Sequence, residues 1–266
     1  QVDRRYIAAE KPEGMYPLMY YNHNLQFAAF AWTIAGAHSR ALVDAKEVTA
    51  NGEAVVKDVP FAELVTNTTL VVETRFRQWD AVRAIPEPAA GMPATRVFWN
   101  WAQGMRLAST GDVAGARAQL DSLRAHTARI PADYVFGLNP GRAVLSVAEA
   151  QLAARIAEGE HRTADAIAGW REACAREDSL SYDEPPDWYA FSRESLGGAM
   201  LRSGDAGGAA DVFRSELTRH PNNPRALFGL ARALEAAGRK SEADKTDAEY
   251  QKAARKADVT FSVAGL

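Results

Sequence analysis

The sequence predicts an all-α fold: a right-handed superhelix, or α-solenoid, of stacked antiparallel helix pairs. Three observations carry this. Helical periodicity dominates the 266 residues, while alternating runs of β-branched residues are scarce. A period of 34 residues is written into the C-terminal part of the chain. Looser copies of the same spacing recur upstream.

The period is clearest where "LGGAMLRSGDAGGAADVFRSELTRHPNN" is followed by "LFGLARALEAAGRKSEADKTDAEYQKA". Gly204 and Gly238 are 34 residues apart, and the same shift sets Leu196 on Leu230, Gly197 on Ala231, Met200 on Leu234 and Ala209 on Ala243. Each unit reads as two helices. A small residue lets them approach, Gly ends the first, and Ala opens the packed face of the second. Pro221 with Asn222 and Asn223 stops one unit before the next.

Along the chain, "QVDRRYIAAEKPEG" reads as a short helix rather than the polar cap a stack of repeats needs. Val2, Tyr6 and Ile7 are therefore expected to dock an N-terminal segment, another subunit or another protein near residues 1–14, and the start at Gln1 without methionine fits a processed form or fragment. A looser unit spans about 22–55, with Ala29, Trp32, Gly36 and Ala41 at the repeat offsets. A degenerate unit at about 68–90 is cut short by Pro86 and Pro88, and another at about 96–130 carries Gly104, Leu107, Gly111 and Ala116. In the unit at about 143–177, Ala166, Ile167, Trp170 and Ala173 fit the second helix, and the turn after Gly159 reads two residues longer. The units at about 190–223 and 224–257 complete one solenoid over 1–266. Loops are expected at Val55–Pro60, Ile85–Pro93, Ile130–Gly141 and Asp178–Asp187. Trp99, Trp101, Phe136, Trp170 and Phe213 fall at helix packing positions.

This spacing resembles the tetratricopeptide repeat. "GMYPLMYYNHNLQFAAFAW", "RFRQWDAV" and "YDEPPDWYAFSRESLGGAML" further resemble the C-terminal half of a group of bacterial tetratricopeptide-repeat proteins. Members of that group carry Tyr-Tyr-Pro-His-Asn-x-His-Phe at the first stretch. Here Asn22 stands for the proline and Gln26 for the second histidine, which removes one possible metal ligand. The resemblance implies further repeats before Gln1 and a concave face that takes extended peptides or partner helices.

Net charge is −3, with 31 basic and 34 acidic residues interspersed, and no basic block supports nucleic-acid binding. No run of about 18 apolar residues spans a membrane. The single cysteine, Cys174, excludes an internal disulfide and reads as a packed helix residue. Gly-x-Ser-x-Gly, the phosphate-binding loop and His-Glu-x-x-His are all missing, and no cofactor is implied. No two of the five histidines lie three or four apart, so no single helix chelates a metal, and His38, His161 and His220 are expected at turns facing solvent.

Two stretches stand out as candidate sites. In "YYNHNLQFAAFAW", Asn22 or Asn24 is expected to cap a helix whose buried stripe is Leu25, Ala28, Ala29 and Trp32. His23 then faces the groove or packs on Tyr20, and its imidazole makes it the one candidate metal ligand or proton carrier. In "SYDEPPDWYAFSRES", Asp187 is expected as a cap, with Glu184 near the positive end of the helix. The alternative is a binding cluster of Tyr182, Asp183 and Glu184 beside Trp188, Tyr189 and Arg193 on the opening helix face. The leading function is a non-enzymatic scaffold that binds a protein partner along its concave face. The other is a small-ligand- or metal-binding enzyme domain using His23 and the Asp183–Glu184 loop; Tyr20 and Asn24 are further candidates for contact with a ligand or partner. An open groove would favour the first, and a closed pocket holding both motifs the second.

Overall fold

One turn geometry, repeated, builds the molecule. The computed structural model describes residues 2–266. It begins with α1 (Val2–Glu10) and a π-helical turn, Tyr16–Tyr20, that runs straight into α2 (Tyr21–Ile34). Then come α3 (His38–Val55), the short α4 (Glu63–Thr66), α5 (Thr68–Arg75), α6 (Trp79–Ala84), α7 (Pro93–Ser109) and α8 (Val113–Arg129). A two-residue hairpin, β1 (Val135–Phe136) with β2 (Asn139–Pro140), precedes α9 (Gly141–Gly159) and α10 (Thr163–Asp178). The chain ends with α11 (Ser192–Arg202), α12 (Ala206–Arg219), α13 (Pro224–Ala236), α14 (Lys240–Ala253) and a tail without α-helix that holds two short 3-10 turns, Ala254–Lys256 and Val263–Gly265. Successive helices pack on one another, and the whole is an all-α helical-repeat solenoid.

The turns α2–α3, α5–α6, α7–α8, α9–α10, α11–α12 and α13–α14 each hold one residue at positive φ, two residues before the next helix: Gly36, Arg77, Gly111, His161, Gly204 and Gly238. At each, the following N–H reaches back five residues, as from Ala37 to Trp32 (3.0 Å), Arg162 to Ala157 (2.9 Å) and Arg239 to Leu234 (2.9 Å), which satisfies the last carbonyls of the first helix. The expected longer turn after Gly159 is corrected by this geometry. Helix α9 continues through Gly159, and His161 takes the left-handed position that glycine usually fills.

Five residues beyond each of these positions, Ala41, Val82, Ala116, Ala166, Ala209 and Ala243 are all buried. Large residues there have no room: Ala209→Leu or Ala243→Leu should cost about 1–3 kcal/mol by overpacking. Thermal denaturation checks this, and an unchanged melting temperature in Ala209→Leu would refute the register. Trp101, Phe136, Trp170 and Phe213 are core residues as expected, while Trp99 is half-buried, its indole N–H donating to the Ile85 carbonyl at 2.9 Å.

The row of pairs curls until its first helices meet. Arg75 on α5 pairs with Glu194 on α11, 119 residues away, through two bonds of 2.6 and 2.7 Å. Asn223 Nδ2 donates to the same carboxylate (2.7 Å), and Arg225 Nε lies 3.3 Å from it. Asn223 also caps α13 by accepting from the Arg225 N–H at 3.1 Å. This cluster ties α5 to α11 and α13.

Candidate binding surfaces

The opening stretch departs from its expected form. Because the π turn leads into α2 without a break, neither Asn22 nor Asn24 is a cap. Asn22 is buried inside the helix, its Nδ2 donating to the Leu18 carbonyl (3.1 Å) and its Oδ1 accepting from Asn51 (2.9 Å). The buried stripe is Tyr21, Asn22, Leu25, Gln26, Ala29 and Thr33, with Ala28 and Trp32 only half-buried. His23 is exposed and sits 6.0 Å from the Phe27 ring rather than against Tyr20.

The curl of the solenoid brings His23 and the loop after α10 to one cavity of about 280 Å³, where Asn22, Gln26, Asp183, Glu184 and Asp187 supply the polar wall. Asp183 accepts the Leu138 N–H at 3.1 Å, and Asp187 accepts from Asn139 Nδ2 at 2.8 Å. Both carboxyl groups press on the turn at Gly137, where an added Cβ would lie 2.0 Å from Asp187 Oδ1 and 2.6 Å from Asp183 Oδ2. Burial first, then the Asp183 charge, pushes the Asp187 carboxyl up to about 6 against the Asn139 hydrogen bond. Among the described residues no three His, Cys, Asp or Glu side chains converge as a metal-binding group, so His23 has no companions for that role.

The other sequence-derived candidates lie elsewhere. Tyr20 is exposed beside Tyr16, 6.5 Å ring to ring, and Asn24 donates to Asp3 at 3.2 Å in the next opening. Tyr182 is exposed and donates to Glu184. Trp188 and Tyr189 precede α11 rather than opening its face, and both are buried: Trp188 stacks on Phe98 at 5.5 Å, and Tyr189 meets the edge of Phe30 at 5.7 Å. Arg193 is buried and ion-paired to Asp178. Asp187 does not cap α11. Glu177 does so instead, accepting the Ser192 N–H at 2.8 Å.

Two of the three turn histidines are not solvent-facing. His38 Nε2 contacts the buried Glu73 at 2.9 Å, and His220 stacks on Phe191 at 3.9 Å while meeting the buried Glu216 at 2.7 Å. His161 is exposed. Burial pushes the Cys174 thiol up to about 12, which leaves it unreactive at neutral pH.

Glu177 and Asp187 set a pH dependence. Burial pushes Glu177 up to about 7 despite its bond to Ser192. A carboxyl group whose pKa is raised on folding stabilises the protonated native state, so its contribution is complete below the unfolded-state value and is lost as pH rises through the folded value. Between about pH 4 and pH 7, these two groups make stability fall as pH rises. Glu177→Gln should flatten that slope in urea titrations, and an unchanged slope would contradict the assignment.

A second surface escaped the sequence reading. After α14 the chain turns back along the inner face. The Asp258 carboxylate accepts the N–H groups of His38 (2.6 Å) and Ser39 (2.9 Å) at the start of α3, and its own N–H donates to the Gly36 carbonyl at 3.1 Å. Phe261 packs 6.3 Å from Phe228 and 6.2 Å from Tyr250. Three arginines then take the backbone carbonyls. Arg77 donates to Ala264 (2.8 Å), Arg202 to Val263 (2.9 Å) and Leu266 (3.2 Å), and Arg225 to Gly265. Leu266 is buried against Gly198, where an added Cβ would come within 2.6 Å of the Leu266 side chain. The apolar stretch "VTFSVAGL", too short for another repeat, was the one available signal.

Residues 200–259 match the family model of the tetratricopeptide repeat, from the end of α11 through α14. The chain is thus a tetratricopeptide-repeat-containing protein, a class whose repeats generally mediate protein–protein interaction. Comparison with curated proteins and with solved structures returns no match. No helix among the described residues is long and apolar enough to cross a membrane.

Proposed function

We propose that this chain is a non-enzymatic scaffold whose inner face holds an extended segment of a protein partner. The observation that carries the reading is the capture of residues 263–266 in cis by Arg77, Arg202 and Arg225. Main-chain carbonyls are common to every peptide, so arginines on them supply affinity, while the seats of Phe261 and Leu266 supply selectivity. Selection of displayed random peptides on a folded chain ending at Ala257, which frees the site, tests it. Enriched peptides should carry apolar residues spaced like Phe261 and Leu266 and lose binding to Arg202→Ala, whereas enrichment indifferent to that substitution would refute the reading.

On this reading the chain is one solenoid of units at about 22–55, 68–90, 96–130, 143–177, 190–223 and 224–257, related to the bacterial group with the Tyr-Tyr-Pro-His-Asn-x-His-Phe motif. It works within a larger assembly, joined near residues 1–14. Val2 is 80% and Tyr6 42% exposed, while Ile7 packs on Tyr21, Leu25, Val48 and Val65. A second reading, a small-ligand site, is favoured by the single cavity that His23, Asp183 and Glu184 share. Its ligand would donate hydrogen bonds to the carboxyl groups, and His23→Ala with unaltered ligand affinity would remove it.

A further inference from the structure

Beneath the C-terminal segment lies a second cavity, of about 40 Å³, walled by α5, α7, α9, α11 and α13. Its mouth, about 280 Å³, opens under residues 259–266, and Arg75, Arg77, Arg225 and Gly265 line both. A water molecule needs roughly 10–15 Å³ of such space, so the inner part holds about three waters or one compact polyatomic ion.

The walls are polar and unsatisfied. Trp101 is 1% exposed, and its indole N–H has no partner. Arg155 is 9% exposed with its Nε–H unpaired, and the hydroxyls of Thr74 and Ser109 are unpaired as well. All four residues line the inner cavity. Buried donors are ordinarily satisfied, so four such groups in one small polar space call for an acceptor.

Charge points the same way. Arg75, Arg77, Arg155 and Arg225 line the cavity, and Arg202 is close enough to depress Arg77. Two carboxylates answer these five guanidinium groups. Glu194 serves Arg75 and Arg225, and Glu158 serves Arg155 (2.5 Å) and Arg202 (2.9 Å). Arg77 has no carboxylate partner among the described residues. Burial and neighbouring guanidinium groups push Arg77 down to about 10, and burial with Arg75, Arg77 and Arg155 does the same to Arg225 against the pull of Glu194.

We propose that this cavity binds a small tetrahedral oxyanion of the phosphate class, held by Arg77, the Arg155 Nε–H and the Trp101 indole N–H, with the Thr74 and Ser109 hydroxyls completing the shell. A tetrahedral ion suits donors that converge from three helices and a turn, whereas a planar carboxylate offers acceptors on one side only. Guanidinium groups supply the charge-assisted bonds that make phosphate binding strong. The site shares Arg77 and Arg225 with the surface that holds residues 263–266, but Trp101, Arg155, Thr74 and Ser109 lie only in the inner cavity, and its occupation does not depend on a partner peptide.

Calorimetric titration of the full chain with inorganic phosphate, in a buffer free of phosphate and sulfate, tests it. Saturable binding of one phosphate per chain is expected, with acetate at equal concentration giving no comparable heat. Affinity should fall about ten-fold or more in Trp101→Phe, which removes the N–H together with part of the indole ring, and in Arg77→Gln at a half-exposed position that should fold normally. Absence of saturable phosphate binding, acetate binding as tight as phosphate, or unaltered affinity in Arg77→Gln would each overturn the proposal.

Discussion

Glu194→Gln should destabilise the protein by about 3–5 kcal/mol, because it leaves buried guanidinium groups with no counter-charge. Glu194 is buried and holds Arg75 through two parallel bonds, Asn223 through a third and Arg225 by proximity. Those residues sit on α5, at the N-cap of α13 and in its first turn, so the carboxylate fastens the early helices to the late ones. Glutamine keeps the size but carries no charge. Burial alone would raise the Glu194 pKa, but Arg75 and Arg225 outweigh it and hold the group below the ordinary glutamate range. The sign follows. A depressed carboxyl contributes stability above its unfolded value, about 4.3, and that stability is lost as pH falls through the folded value. Wild type should therefore lose stability in strong acid, and Glu194→Gln should not share that part of the loss. Adding Arg75→Met to Glu194→Gln should recover part of the deficit, since removing both partners spares a stranded charge. Urea denaturation of the two variants measures this, and a loss below about 1 kcal/mol in Glu194→Gln would place the pair among surface ion pairs.

Phe213→Ala should cost about 3–5 kcal/mol, the range for removing a fully buried aromatic ring. Phe213 on α12 has no exposed surface and reaches into the gap between α11 and α13. An added Cβ at Gly197 would lie 2.6 Å from the ring, and one at Gly229 only 2.3 Å. The ring thus fills space that two glycines leave open, one on each side, and its loss would leave a cavity the backbones cannot easily close. Gly229→Ala should also destabilise, by collision rather than by a void, so the two variants separate the mechanisms. Thermal melts check both, and a shift under 2 °C for Phe213→Ala would contradict the packing described.

The repeat was legible because its signals are local. Gly36, Gly111, Gly204 and Gly238 mark left-handed turns that a bulkier residue adopts at a cost, and the alanine five residues later marks the close helix contact. At Arg77 and His161 a non-glycine residue takes the same conformation, so those turns were blurred: one as a degenerate unit, the other as a turn apparently two residues too long. Asn22 shows a different failure. A polar residue before an apolar run has the form of a cap, but the π turn upstream had already begun the helix, and the side chain bonds to Leu18 instead. At the candidate surfaces, His23 and Asp183 were named from their chemistry, yet only the curl of the solenoid brings them to one cavity. Arg77, Arg202 and Arg225 were not singled out at all. Their partners are backbone carbonyls 187, 61 and 40 residues away, and such contacts leave no periodic trace.

On the proposed reading, the surface that holds the C-terminal segment also accepts a peptide supplied in trans. A fluorescently labelled peptide with the sequence of residues 258–266, titrated against a chain ending at Ala257 and followed by anisotropy, tests it most directly. Circular dichroism must first find the shortened chain helical. The expected result is saturable binding to the shortened chain, binding weakened about ten-fold or more by Arg225→Ala, and little binding to the intact chain, whose own segment fills the site. A folded, shortened chain that leaves the peptide free, or binds it equally well without Arg225, would contradict it.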